Sequence, residues 1–275
     1  MKFLDDLTVA VAIDLKRDLI PDQTERQRPL AYDEKDKLVL PKEKNILQKS
    51  LNELSEFIDE NSMKINVGKT KVMMFNMSKK LRFPLEVSLY SSDFLEINQS
   101  SKILGIIIEN NLKWSKNTQF ITEKCRSRIW TLRRLKKLGF SVDFIVEVYT
   151  KEIRPILEYC APVWSGGLTK SDSLKIERIQ KSVFRLVLGD AFTSYSSACE
   201  TLKLEQLYIR REKLCLKFAT KEFHKESHGI FQGSTSRNPR KVSQMLVKKP
   251  SARTRRFTSN PMYYLSEVLN KMGRK

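Results

Sequence analysis

The 275-residue chain has little with which to bind a soft metal or to lock itself with disulfides: four cysteines and two histidines. Cys125, Cys160, Cys199 and Cys215 form no Cys-x-x-Cys pair. That argues against a disulfide framework, and reduced, mostly buried thiols are expected. Cys199, Cys215, His224 and His228 stand in the order of a zinc set, but the two cysteines are too far apart for finger spacing. No apolar run approaches the ~20 residues needed to cross a bilayer. The N-terminus does not read as a signal peptide either, so an intracellular protein, nuclear or cytoplasmic, is expected. Acids are the last shortage. Against 51 Lys plus Arg there are 32 Asp plus Glu, a formal charge of +19. Such an excess calls for a polyanionic partner, nucleic acid ahead of an anionic membrane surface.

What is present suffices for a folded core: the length fits one or two domains, and 40% of residues are hydrophobic. The chain opens on Lys2-Phe3-Leu4-Asp5-Asp6-Leu7-Thr8-Val9-Ala10-Val11. Two adjacent carboxylates before an apolar, β-branched run read as a hairpin over residues 1–15 whose turn carries Asp5 and Asp6. Paired carboxylates suit Mg²⁺, which takes hard oxygen ligands and leaves positions open for substrate phosphates. Locally, the plain alternative is a solvated turn.

Residues 16–44 mix charges of both signs with Pro21, Pro29 and Pro41 and show no periodicity, as a mobile surface insertion would. A helix is expected over 42–60, where Leu47, Leu51, Leu54 and Ile58 make one apolar stripe. Strand, turn and strand follow from Met63 to Phe75, turning at Asn66-Val67-Gly68-Lys69. Further strands are expected at Leu85–Tyr90, Phe94–Ile97 and Ile103–Ile108. The rest reads as helices at about 116–138, 141–153, 155–160, 171–188, 195–201 and 205–224, with Pro155 starting or kinking a helix and Pro162, Gly166 and Gly167 as breaks.

Three of these helices pair an apolar stripe with a basic one. In the first, Ile121, Cys125, Ile129, Leu132 and Leu135 oppose Arg126, Trp130, Arg133 and Lys137. In the second, Ile176, Ile179, Val183 and Leu186 oppose Arg178, Lys181 and Arg185. In the third, Leu207, Leu214 and Phe218 oppose Arg210, Lys213, Lys217 and Lys221. One such row is ordinarily a solvated face. Three together point to a surface that tracks phosphates, with Trp130 placed to stack on a base. Residues 229–275 hold 11 Lys plus Arg against the single acid Glu267. They read as a basic, mostly disordered tail that leaves room for a short helix near Tyr263–Leu269.

Taken in order, these segments resemble the reverse transcriptases of non-LTR retrotransposons. Phe3-Leu4-Asp5-Asp6 is similar to their aromatic-x-Asp-Asp hairpin. Ser62–Asn66 with Gly68–Phe75 is similar to the next palm segment, and Ile103–Trp114 to the primer grip. Leu157–Trp164, Ile176–Gln180 with Arg185, Leu188 and Gly189, and Leu207 with Arg210-Arg211 are similar to thumb signatures. No single motif is very specific; their order carries the resemblance, over residues 1–15 and roughly 45–231.

The resemblance implies an α+β fold: a partial reverse-transcriptase palm over 1–114, an antiparallel sheet with a helix, then an all-α thumb over 115–228 and the basic tail. It implies an RNA-directed DNA polymerase, a nucleotidyltransferase acting on RNA template, DNA primer and nucleotides. Asp5 and Asp6 would be two of three Mg²⁺ ligands, Lys69 would neutralise or protonate the leaving pyrophosphate, and Leu104-Gly105 would form the primer-grip turn. The family's fingers and third aspartate precede the hairpin, so the isolated chain is expected to be inactive. The alternative is a non-catalytic nucleic-acid-binding remnant acting through the thumb rows and tail.

Overall fold

The computed structural model describes residues 2–3, 46–73, 75, 88–89, 93–223, 247, 249, 258 and 260–272. The chain divides into two compact units, Met1–Leu112 and Lys113–Lys275. Among the described residues, short strands and one helix make the first unit and helices make the second, an α+β composition. Among the described residues no helix is long and apolar enough to cross a membrane.

In the first unit, α1 (Ile46–Glu60) buries Leu51 and Ile58 and half-buries Leu54. Leu51 packs with Leu95, and Ile65, Val67 and Val72 close around them. β1 (Lys2–Phe3) pairs in parallel with β2 (Met63–Lys64). β3 (Ser88–Leu89) pairs antiparallel with β4 (Asp93–Phe94), and β5 (Ser100–Ile103) with β6 (Ile106–Glu109). One antiparallel sheet is the sequence expectation; the described strands instead form three separate pairs, and outside them Val72 makes a parallel bridge to Ile97.

The single strand expected over Ile103–Ile108 is a two-residue hairpin. Ile103 pairs with Ile106, and Leu104 and Gly105 turn the chain with φ of 46° and 86°. Two successive positive φ values match the right-handed twist of the flanking strands. The apolar run hid the turn, because Leu-Gly lacks the Asn-Gly or Asp-Gly signature.

The second unit begins with α2 (Ser115–Lys137), which packs on α6 (Lys170–Leu188) and buries Ile121, Cys125, Ile129 and Leu132. Ser141 caps α3 (Val142–Val148) by accepting the Phe144 N–H. The helix then widens into a π turn over Tyr149–Ile153 before α4 (Arg154–Glu158). Pro155 explains the widening: it has no N–H to donate backward, and its ring crowds the carbonyl four residues earlier.

Tyr159 leaves the helix at ψ 125°, Cys160 turns left-handed at φ 51°, and α5 (Ala161–Trp164) follows. Trp164 Nε1 donates to the Tyr159 carbonyl at 2.8 Å and locks the reversal. Trp164 fills the core at 1% exposure, beside the fully buried Leu157 and Ala161. α7 (Tyr195–Thr201) and α8 (Leu207–Phe223) complete this bundle.

The C-terminal stretch departs from the expected disorder where it is described. α9 (Pro261–Met272) packs along α8, with Leu265 and Leu269 against the small Cys215 and Ala219 and against Val247. Asn270 accepts the Val247 N–H and donates to its carbonyl, both at 3.0 Å. Lys271 pairs with Glu212 and Lys249 with Glu267. The helix is apolar enough to dock because the tail's positive charge lies mainly before it. The thiols fit the reading of reduced cysteines: all four are free, and burial pushes Cys125 up to about 12 and Cys215 to about 11.

Candidate nucleic-acid interface

α2 is the most lopsided helix in charge. Its 23 residues carry eight Lys or Arg against the single acid Glu123. Because Ile121, Cys125, Ile129 and Leu132 face the bundle, the opposite side of the helix faces solvent. Arg126, Trp130, Arg133 and Lys137 are all exposed. They follow one line of the helix for about 16 Å at 1.5 Å per residue. Trp130 is 55% exposed, and the Arg134 guanidinium lies 4.8 Å from its ring centre. That contact holds the indole on the surface as a flat apolar platform beside the cations. Lys136 has a different job: its Nζ reaches the carbonyls of Leu186 at 2.5 Å and Val187 at 3.4 Å, neutralising the C-terminus of α6.

The row on α6 is shorter and partly occupied. Arg178 and Arg185 are exposed and Lys181 is half-buried. Lys181 Nζ sits 4.8 Å over the Tyr195 ring, and the Arg185 guanidinium 5.1 Å over Phe192. In both, the charged head itself rests over an aromatic face, a cation–π contact.

The row on α8 does not hold as a row. Arg210 forks onto Glu158, Nε to Oε1 at 2.5 Å and Nη2 to Oε2 at 3.1 Å, and lies 3.9 Å from Glu205. The Glu158 carboxylate raises the Arg210 pKa above its ordinary value. Lys213 is bonded to Glu205 as well. Lys217 and Lys221 stay exposed. Two of the four cations thus tie α8 to α4 and to the segment preceding α8, because the acids that meet them come from elsewhere in the chain. The inward stripe also differs: Leu207, Arg211, Cys215 and Ala219 are buried, whereas Phe218 is 40% exposed.

Arg211 is the charged residue that sequence reasoning passed over as a packing element. It is 2% exposed, over Trp164, and its Nη2 donates to Ser173 Oγ at 3.1 Å and lies 3.3 Å from Glu177 Oε1. Glu177 Oε2 accepts from the Tyr195 hydroxyl at 2.6 Å and the Leu207 N–H at 3.3 Å. Burial lowers the Arg211 pKa, against the opposing pull of Glu177. This network is an internal brace joining α5, α6, α7 and α8. The alternation of i and i+4 residues in α8 was the one sequence signal for it.

In the first unit, Lys69 is exposed at the end of the Asn66–Lys69 turn, its backbone N–H donating to Asn66 O and Oδ1 at 3.1 and 3.2 Å. Leu104 and Gly105 occupy the β5–β6 turn, Leu104 at 70% exposure. Asp5 and Asp6, the expected Mg²⁺ ligands, lie outside the described residues, so their fit to a metal is not part of this geometry. Among the described residues no group of His, Cys, Asp and Glu is placed to hold a metal ion. No family model matches the chain. No curated protein and no solved structure matches it either.

Proposed function

We propose that the chain binds nucleic acid through the exposed face of α2, as a segment of reverse-transcriptase descent made of palm rear and thumb. The observation that carries the binding is the solvent-facing line Arg126, Trp130, Arg133 and Lys137, on a helix with eight cations and one acid. Arg178, Lys181 and Arg185 on α6, with Lys217 and Lys221 on α8, add positive charge to the same unit. The descent rests on the ordered resemblance of the segments. The Leu104-Gly105 turn, where a primer-grip turn is expected, favours it.

Binding of this kind is electrostatic and releases counterions, so affinity falls linearly on a log–log plot against salt. Each phosphate contact contributes a slope of roughly −0.9 on duplex and −0.7 on single strands. Arg126→Gln/Arg133→Gln/Lys137→Gln should therefore reduce the slope by roughly two to three and weaken binding to every sequence alike. A flat salt response, or equal affinity after the triple substitution, would sink the reading.

The polymerase reading assigns Asp5 and Asp6 to Mg²⁺ and Lys69 to the leaving pyrophosphate. In it, the ion would supply the Lewis acid and the exposed Lys69 a proton or a charge. The resemblance implies a third carboxylate beside Asp5 and Asp6, so primer extension in Mg²⁺ is the measurement that tests the polymerase reading. Extension in Mg²⁺ that disappears on Asp5→Ala would show an active enzyme.

A further inference from the structure

The turn from α2 to α3 exposes more large apolar surface than its place on the molecule explains. Leu138 is 72% exposed, Phe140 45%, Val142 45% and Phe144 40%. The tip is firmly built. The Phe140 N–H donates to the Leu135 carbonyl at 3.3 Å and the Gly139 N–H to the Lys136 carbonyl at 3.1 Å, with Gly139 at φ +81°. That is the double bond of a Schellman cap, which fixes where Phe140 projects. Its ring stacks on Phe144 with centroids 4.9 Å apart and planes 24° from parallel. Two preset rings offering an open face give a binding platform at low entropic cost.

Charge around the platform is one-sided. Trp130, Arg134 and Leu138 follow one line of α2 at steps of four residues, so the indole–guanidinium pair leads toward the tip. Lys137 is exposed one residue before Leu138. On the α3 side stand Asp143, exposed, and Glu147, paired with Lys151. A polyanionic backbone is attracted to the α2 side and repelled from the α3 side, while the apolar rings lie between. The cationic line of α2 leading to the rings favours a polyanion, and stacked rings suit one that offers flat π faces.

We propose that the stacked Phe140–Phe144 tip binds unpaired nucleobases, so that the preferred ligand of this unit is single-stranded nucleic acid rather than blunt duplex. The proposal rests on the nucleic-acid reading of α2 and adds strand selectivity to it. Every base has a π face, so such a platform is indifferent to sequence. In a duplex the bases are stacked on one another and the tip has nothing to take.

The test uses the full chain, a labelled short DNA strand and the blunt duplex of the same sequence, at one salt concentration. Phe140→Ala/Phe144→Ala should weaken single-strand binding by at least about fivefold, the low end for one lost base–aromatic stack. Duplex affinity should not move. Phe140→Trp should keep single-strand affinity and add to the indole quenching of the parent chain on the single strand only, the duplex change matching the parent's, a readout independent of how the alanine variant folds. Equal losses on both ligands, or none on the single strand, overturn the proposal while leaving α2 binding intact. Failure of both ligands to bind overturns the α2 reading with it. Concentration-dependent self-association abolished by the alanine variant, without strand selectivity, would assign the tip to a second copy of the chain.

Discussion

Tyr264 lies directly against Gly166. A Cβ built on that glycine would stand 2.5 Å from both Cβ and Cγ of the tyrosine. Those atoms belong to the root of the side chain, so they cannot swing aside without moving α9. Gly166→Ala should therefore loosen the C-terminal helix from α5 and α8. Overpacking of this kind costs about 1–3 kcal/mol. Thermal unfolding measures it, and Tyr264→Ala in the same chain should recover most of the loss attributable to the clash. Additive losses in the double variant would mean that the contact is not what restricts position 166.

The fork from Arg210 to Glu158 makes a second prediction, one that separates a structural cation from a binding one. The two side chains are 27% and 12% exposed. Removing the guanidinium leaves the carboxylate partly buried, with Arg154 at 3.9 Å as its remaining ion pair among the described residues. Arg210→Gln should cost about 1–3 kcal/mol of stability, as lost hydrogen bonds to charged groups do. Arg210→Lys should recover only part, because an ammonium cannot reproduce the fork. The salt slope of nucleic-acid binding should stay unchanged. A slope reduced to the same degree as by Arg133→Gln would return Arg210 to the interface.

The helices of the second unit were legible because their cores repeat every 3.6 residues: Ile121, Cys125, Ile129 and Leu132 in α2, and Ile176, Ile179 and Val183 in α6. What pairs with a surface cation is decided by another segment. Hence α2's exposed row follows from its own spacing, while Arg210 and Lys213 could be removed from theirs only by seeing Glu158 and Glu205. Arg211 stood in a thumb signature, but its buried role was not legible because a charged residue on an inward face becomes intelligible only with Glu177 and Ser173 beside it. The short helix allowed for near Tyr263–Leu269 is there and runs from Pro261 to Met272; its docking on α8 through Leu265 and Leu269 was not legible, because the Cys215 and Ala219 surface that receives it lies in another segment. Asp5 and Asp6, the heart of the catalytic expectation, remain a reading of sequence alone.

The β5–β6 turn holds a conformational cost that can be removed. Leu104 adopts φ 46°, a region that costs a non-glycine residue roughly 1–2 kcal/mol. Its side chain is 70% exposed, so little packing opposes replacement. Leu104→Asn should raise the stability of the first unit by up to about 1 kcal/mol, since Asn tolerates this region. Denaturant unfolding measures it. A loss of stability would mean that Leu104 makes a packing contribution larger than its backbone strain.

Asp172 fixes the start of α6, and its titration sets an acid limit. Thr169 Oγ1 accepts the Asp172 N–H at 3.1 Å and donates to Asp172 Oδ2 at 2.8 Å. Ser115 Oγ donates to Oδ2 at 3.0 Å, and Lys175 Nζ pairs with Oδ1 at 2.8 Å. Burial alone would raise this carboxyl, but the bonds from Lys175, Thr169 and Ser115 outweigh it and hold it below its ordinary 3.8. A depressed pKa means the folded chain favours the carboxylate. Its stabilisation is fully present above the unfolded value and disappears as pH falls through the folded one. Asp172→Asn should thus be less stable than the parent near neutral pH, by about 1–2 kcal/mol for the lost ion pair and the weakened hydrogen bonds to the carboxylate. The gap should close below pH 3.8 as the parent's carboxyl takes up its proton. Unfolding followed from neutral to acid pH for both proteins checks it; a gap that stays constant across that range would show that Asp172 acts by shape and not by charge.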